Sequence, residues 1–562
     1  MPRLSTLQDL AGELDRDPSL CRPLCPELWL KDPDENKRVL FYLVRSAQSF
    51  HRGEKQTAYQ QLLEARKTFR FLPLPLIFNI AWLSRQLGRE QSAAHECLRF
   101  AEGAFHQQYF DLGCEAASAA LILDALGEYE ITGNPALSSQ VACWYERAAQ
   151  SMNRPPSPES VCRDSPPLKV GILTPNLVDH VVAYSKRVLT LARYADATKY
   201  RLFVYSSENH ACRKGPLFPF GCVDSGSAGR GVETMAELAR RGIPVRLGPN
   251  NLRTRASADW LARRMEADAL DILIVQSGLS APIDWLTARI CRAPVKASLH
   301  IGSSLFLPGM DVSYYANAVN IERETPWWPD KFGERKAMRP CVDIGELESA
   351  SALSRENLAI PAHSVLLGVL GNHLDRRLSV PYMTALAELL RLHPEAWFVA
   401  MGSGYLPDKL AFFHSQGVAS RIRFTGSQCA AGSALKMLDI YANEFPVGGS
   451  QSVCEAMTCG IPVLAMHWSD LHPECAGARL VGDPLAITAR DESSYVRLAS
   501  SWIENATERK AAGRLLRERA LWHFSAEGSV GGLLDDLQRY FRQKITTPLR
   551  GVFAPCFDCA AT

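Results

Sequence analysis

No run of this sequence approaches the roughly eighteen consecutive apolar residues of a membrane-spanning helix, so no span is expected. The first residues, MPRLSTLQDLAGELDRD, carry early acids and no apolar h-region, so a secretory signal is not expected either. Neither sign of charge dominates. The 62 Lys and Arg against 60 Asp and Glu leave a net charge of +2, which argues against a broad electrostatic footprint for nucleic acid or an acidic membrane. Room remains for a local basic pocket. Metal-binding patterns are nearly missing: the one CxxC, Cys556 to Cys559, has no second CxxC and no neighbouring histidine. Asp32-Pro33-Asp34 reads as a solvated turn in a helical region. The 16 cysteines are many, but they are scattered among apolar neighbours, as in HECLRF (95–100) and VCEAMTC (453–459). That pattern suits buried free thiols in a reducing, cytoplasmic compartment better than a disulfide framework.

What is present is a chain of 562 residues, 47% hydrophobic and 22% charged, ordinary for a soluble globular protein and long enough for about three or four domains. Residues 1–152 read as helix after helix. KQTAYQQLLEARKTFRFL, LIFNIAWLSRQLG, QSAAHECLRFAEGAF and EAASAALILDALGEY carry apolar residues at helical spacing, and two segments end alike, at Leu87-Gly88 and Leu126-Gly127. This all-α section resembles helical-hairpin repeats of the tetratricopeptide (TPR) kind, with a poor period and about two units. Residues 153–167, NRPPSPESVCRDSPP, form a linker, because their prolines sustain neither a helix nor a central strand.

Then the pattern changes. Over 168–345 and again over 346–545, short strands without a polar face, such as LKVGILTP, LDILIVQSG, VLLGVLGN and AWFVAMGSG, alternate with helices. That predicts an α/β architecture of two Rossmann-like parallel-sheet domains behind the all-α domain, the second with a returning C-terminal helix. A mixed stretch rich in Trp and Pro, about 317–360, lies between the two series, and 546–562 reads as a tail. Two such domains in tandem hold a ligand in the cleft between them, at the carboxyl ends of the strands.

One stretch, DIYANEFPVGGSQSVCEAMTCGIPVLAM (439–466), carries more than a strand and a helix need. Gly448 and Gly449 let a ligand approach the backbone closely. Ser450, Gln451 and Ser452 fall where a helix begins, and the unpaired N–H groups and positive dipole end of a helix suit a diphosphate. Glu455, one turn inside, suits hydrogen bonds from ribose hydroxyls. The same residues also spell a capping box, Ser452-Val453-Cys454-Glu455, which starts many helices but leaves the two glycines after Pro446 unexplained.

This stretch resembles the nucleotide-sugar-binding segment of GT-B glycosyltransferases. It is most similar in pattern to glycosyltransferase family 41, which includes the O-GlcNAc transferases and the bacterial cytoplasmic N-glucosyltransferases that modify adhesins. In that family a strand leads to a Pro-x-x-Gly turn, a small polar triplet and a ribose-binding acid. The resemblance gives the triplet as Ser450, Gln451 and Ser452 and the acid as Glu455. VGILTPNLVDHVVAYS is similar to the family's first strand and loop, which puts His180 in the position of the active-site histidine. LGVLGNHLDRRLS resembles the diphosphate-binding segment and implies Asn372, His373 and Arg376, with Arg377 as a surface partner. LHIGSSLFLPGMDVSYYAN looks like the family's Leu-Gly-x-x-Gly…Met-Asp-Tyr loop and gives His300, Gly302 and Asp311. The likeness spans about 168–541, with a helical domain in front as in family members. It departs from the family at Ser450, where histidine or asparagine is usual, and at Arg376, where lysine is usual. Retaining relatives of another GT-B family carry two acids eight residues apart; Glu444 and Glu455 are eleven apart and fit that pattern less well.

The resemblance implies a metal-independent, inverting transfer of a sugar such as glucose or GlcNAc from a UDP-sugar donor to a protein side chain, with no cofactor beyond the donor. Arg376 and the helix beginning near Ser450 would neutralise the leaving diphosphate. His180 is then a general base, a group orienting the acceptor, or a hydrogen-bonded structural histidine; Asp311 is a base or the cap of the PGMD turn. His467 and His472, near Trp468, are expected on the cleft side. The helical domain suggests a protein acceptor as partner, no nucleic-acid partner is expected, and the oligomeric state stays open. Two other readings compete: a GT-B transferase acting on a lipid- or polysaccharide-linked glycan, and a non-catalytic scaffold with a degenerate transferase domain. A UDP-sugar 2-epimerase shares the fold but calls for further cleft carboxylates, which the sequence does not supply convincingly.

Overall fold

The structure is a computed structural model. It describes residues 33, 35–69, 76, 79–80, 83–84, 87–127, 135–152, 166–177, 183–207, 231–249, 253–300, 309–315, 333–338, 340–371, 374–402, 404, 406–426, 428, 430–468, 477–483, 485–487 and 490–546.

Helices α1 (Glu35–His51) and α2 (Lys55–Glu64), and then α3 (Glu90–His106) and α4 (Phe110–Gly127), pack in pairs. Each pair is joined by a three-residue connection, too short to do anything but fold the chain back on itself. Helix α5 (Pro135–Gln150) closes this section, with the Trp144 ring stacked on Phe105 at 5.3 Å. The helical section is not a loose appendage. Tyr145 packs 5.7 Å from Trp285 of the first α/β domain, and Arg289 grips both oxygens of Glu146 at 2.8 and 2.7 Å. Arg255 likewise holds Asp111 at 3.1 Å, so the two sections share one apolar core.

The first α/β domain runs β1 (Leu168–Thr174), α6 (Ala183–Tyr194), β2 (Tyr200–Ser206), α7 (Val232–Arg240), β3 (Val245–Leu247), α8 (Thr254–Asp268), β4 (Ile272–Val275), α9 (Pro282–Ile290), β5 (Val295–His300), β6 (Val312–Tyr315) and β7 (Glu334–Ala337). Its sheet is parallel throughout, in the order β3-β2-β1-β4-β5-β6-β7. The central strand β1 is buried along its length except at Lys169, which is why it reads as a continuous apolar run. Two strands were not legible in the sequence. β6 lay inside what resembled a loop, and β7, with the sequence ERKA, is a half-exposed outermost strand whose polar side chains carry no strand signal.

The second domain runs α10 (Ile344–Ser349), β8 (Val365–Leu370), α11 (Leu374–Arg377), α12 (Val380–Leu392), β9 (Ala396–Met401), α13 (Pro407–Ser415), β10 (Ile422–Phe424), α14 (Ala431–Lys436), β11 (Ile440–Ala442), α15 (Gln451–Thr458), β12 (Val463–Leu464), α16 (Gly477–Val481), α17 (Glu492–Glu504) and α18 (Ala506–His523). Its parallel sheet has the order β10-β9-β8-β11-β12. In both sheets the winding reverses beside the first strand, between β1 and β4 and between β8 and β11, and ligands bind outside the carboxyl ends at such reversals.

The chain crosses between domains twice, and the crossings are tied together. The Val342 amide donates to the Phe524 carbonyl at 2.8 Å and the Ala526 amide to the Val342 carbonyl at 3.0 Å. Helix α19 (Ala526–Thr546) then lies on the first sheet, where Val530, Leu534, Leu537 and Phe541 share a core with Val170, Ile172 and Val295. Among the described residues no helix is long and apolar enough to cross a membrane.

Candidate active site

At the carboxyl end of β11 the chain passes through Asn443, Glu444, Phe445 and Pro446 into the Gly448-Gly449 turn and then α15. The turn is crowded from below by the protein itself. Arg377 is buried and sets its Nη2 2.9 Å from Glu444 Oε1 and 3.0 Å from Oε2. A Cβ built on Gly449 would stand 2.5 Å from that nitrogen and 2.2 Å from Ser452 Oγ, and one on Gly371 would overlap Arg377 Nη1. A Cβ on Gly448 would meet the Glu444 carbonyl at 2.5 Å. The glycines therefore let two loops close over a buried ion pair. This corrects the expectation that Arg377 is a surface partner, and it supplies an internal reason for the glycines beside any ligand. Burial pushes the Glu444 carboxyl above its usual range although Arg377 pulls the other way. Phe445 is fixed by Tyr382, Tyr495 and Trp468, with ring centroids at 5.3, 5.1 and 5.3 Å.

Helix α15 begins from Ser450, which is exposed and makes no capping bond with its side chain. The expected capping box does not form. Ser452 lies inside the first turn and its Oγ shares a hydrogen bond with the Tyr441 hydroxyl at 2.8 Å, while Glu455 faces elsewhere. The first-turn N–H groups of Gln451, Ser452 and Val453 have no carbonyl within the helix to receive them, which leaves an electropositive helix end at the switch point of the second sheet.

One turn in, Glu455 is only 4% exposed. Its Oε1 accepts from Lys186 Nζ at 2.7 Å and from Gln451 Nε2 at 3.3 Å, while Oε2 is buried with no hydrogen-bond partner. Gln451 Nε2 also donates to the Cys341 carbonyl at 3.0 Å, beside the interdomain crossing. Beneath the turn Asn443 is 1% exposed, and neither polar atom of its carboxamide has a partner. Each buried polar atom of this kind calls for an explanation, and a bound ligand is one.

The facing edge of the first sheet repeats the theme. After β4 the Gln276 amide donates to the Leu173 carbonyl at 3.0 Å, and after β2 the Ser207 amide donates to the Thr174 carbonyl at 3.0 Å, so both flank the end of β1. The side chains of Gln276, Ser277 and Ser207, with Oδ1 of Asn176, are buried and unpartnered there.

The other expected site residues divide. Arg376 stands half-buried at the end of α11, next to Arg377. His180, Asn372, His373, Gly302 and His472 lie outside the described residues. His300 ends β5, paired with Tyr315, and His467 follows β12 with its amide on the Ile487 carbonyl at 2.7 Å. Asp311 is not at the cleft. It precedes β6 at the amino end of the sheet, a strand length (about 13 Å at roughly 3.3 Å per residue) from the carboxyl edge. There it accepts from the Lys296 amide at 2.8 Å and pairs with Lys544 of α19 at 2.6 Å. Its task is to fasten the C-terminal helix, and it is withdrawn from the site. Lys186, Asn443, Gln276 and the Arg377–Glu444 pair were missed; an arginine and a glutamate beside buried strands are the signal that would have found the last. Among the described residues no group of three or more His, Cys, Asp or Glu is placed to hold a metal ion.

No family model matches the chain, and no curated protein matches it in sequence. Solved structures do. A mutant of the Thermobaculum terrenum O-GlcNAc transferase aligns over 97% of this chain and 98% of its own, at 15% identity and a TM-score of 0.59. The Anabaena protein HepE in complex with UDP and glucose aligns over 66% of this chain and 100% of its own, at 13% identity and a TM-score of 0.50. A glycosyltransferase from Rickettsia africae aligns over 67% and 100%, at 11% identity and a TM-score of 0.50. At these identities the likeness is one of fold: the chain has the expected GT-B architecture, with a TPR-like helical domain in front.

Proposed function

We propose that this protein is a glycosyltransferase that moves a sugar from a UDP-sugar donor to a protein side chain, inverting the anomeric centre without a metal ion. The observation that carries the reading is the pairing of the open amino end of α15 with the unpartnered Oε2 of Glu455 one turn below, at the switch point of the second sheet. The first suits a diphosphate and the second a ribose hydroxyl. Arg376 is the basic side chain assigned to the diphosphate, with Asn372 and His373 beside it from the sequence pattern. The α15 N–H groups and Arg376 neutralise charge as UDP leaves, which is the main electrostatic demand of the transfer. His180 is proposed as the base or as the group that orients the acceptor.

The neighbours support the donor class, since HepE is solved with UDP and glucose and the Thermobaculum terrenum protein is an O-GlcNAc transferase. A polypeptide acceptor is favoured by the helical domain, which shares a core with the first α/β domain and so stands fixed relative to the unpartnered groups at Asn176 and Gln276. The experiment is incubation of the protein with UDP-glucose or UDP-GlcNAc and a denatured-protein mixture, read by mass spectrometry. Hexose or N-acetylhexosamine appearing on side chains only with the wild type supports the reading. Free-sugar or lipid products without modified protein move it to another acceptor class.

A further inference from the structure

Glu455, assigned above to the donor ribose, is held by a residue of the opposite domain. Lys186 lies on α6 of the first α/β domain, 269 residues away in sequence, and its ammonium donates to Glu455 Oε1 at 2.7 Å. The pair is no surface ornament: the two side chains are 23% and 6% exposed. The same face of α6 continues onto the interdomain crossing at helical spacing. Arg187 donates to Met338 Sδ at 3.5 Å, Arg193 to Asp343 at 2.6 Å and also to Glu346, and the Tyr194 hydroxyl to Asp343 at 3.0 Å. One helix thus grips the second domain at the hinge and at the floor of the nucleotide site. Gln451 closes the link, bonded to Glu455 on one side and the Cys341 carbonyl on the other.

Charge gives the contact a purpose. A carboxylate one helical turn from the start of α15 repels a diphosphate bound there, and with Glu455 only 4% exposed solvent screens that charge poorly. Lys186 takes one oxygen of Glu455 and cancels its charge, while the other oxygen stays free and partnerless for a hydroxyl. We propose that Lys186 is a positioning residue of the donor site, delivered by the opposite domain: it neutralises and orients Glu455 so that the site accepts ribose and diphosphate together, and it makes tight donor binding conditional on contact between the domains. The inference rests on the UDP reading of the site.

The test is calorimetric titration of wild type, Lys186→Met, Lys186→Arg and the double variant Lys186→Met/Glu455→Gln with UDP and with uridine, folding being checked by circular dichroism. The expected result is a loss of UDP affinity of roughly 10- to 100-fold in Lys186→Met, with a smaller loss for uridine. Lys186→Arg retains most of the affinity, and the double variant binds UDP more tightly than Lys186→Met. A clasp that only holds the domains together moves UDP and uridine equally and is not relieved by the second substitution. Equal losses, or UDP binding by Lys186→Met within about threefold of wild type, overturn the proposal and leave the donor reading standing. Wild type that binds no UDP overturns both. If Lys186→Met does not fold, the double variant and Lys186→Arg decide by the same UDP-against-uridine comparison.

Discussion

Arg377 and Glu444 form a buried ion pair, 2.9 Å apart, directly beneath the Gly448-Gly449 turn that leads into α15. The turn that presents the helix end is therefore built on a charge pair reached from two different strands, β8 and β11. Breaking it leaves a buried, uncompensated carboxylate. Arg377→Met is expected to cost about 3–5 kcal/mol, and the double variant Arg377→Met/Glu444→Leu to recover most of that loss. Urea denaturation of the three proteins measures it; a single-variant cost below about 1 kcal/mol contradicts the role given to the pair.

The turn itself separates stability from binding. Gly449→Ala drives a Cβ to 2.2 Å from Ser452 Oγ and is expected to lower both stability and UDP affinity. Ser450→Ala removes an exposed side chain that makes no capping bond, so stability should stay within about 0.5 kcal/mol. Thermal melts with and without UDP distinguish the two. Melting temperatures that fall equally in both variants would refute this division.

Acid should weaken the ion pairs that Glu237 makes within the first α/β domain. The Glu237 carboxyl is lowered to about 2 by hydrogen bonds from Arg240 and Arg241, against opposing burial, and it also lies 3.6 Å from Arg193. A carboxylate whose pKa is depressed in the folded state contributes stability above its unfolded value, near 4.5, and loses it as pH falls toward 2. Wild type should melt a few degrees above Glu237→Gln at pH 7, for a difference of about 1 kcal/mol. That gap should close between pH of about 4.5 and 2. A gap constant down to acid pH would show that the pair contributes nothing through charge.

Much of this architecture was legible because buried parallel strands announce themselves. LKVGILT and VLLGVL have no polar face, and helices with a clear apolar stripe separate them. The start of α15 was legible for a similar local reason, as glycines and small polar residues precede a helix there. The rest depends on distance along the chain or on direction. Lys186 and Glu455 meet across two domains, and nothing in either segment points to the other. Asp311 comes from the resemblance, with a turn cap as its alternative; because β6 begins at Val312, a residue just before it belongs to the amino end of a parallel sheet, away from the cleft. Arg377 looked like a surface neighbour of Arg376 because two adjacent arginines say nothing about which one turns inward. The expectation of buried thiols outside disulfides rests on composition and apolar neighbours, and Cys97, Cys114, Cys341 and Cys454 are buried with free thiols.

The central claim is that α15 and its approach form a nucleoside-diphosphate site. Calorimetric titration of the purified protein with UDP in the presence of a chelator, with Glu455→Ala and Arg376→Ala alongside, tests it most directly. The account predicts that wild type binds UDP without added metal, with a Kd between about 1 µM and 1 mM, and that each variant loses at least about tenfold in affinity. Folded wild type that takes up no UDP, or variants that bind it as wild type does, would contradict it.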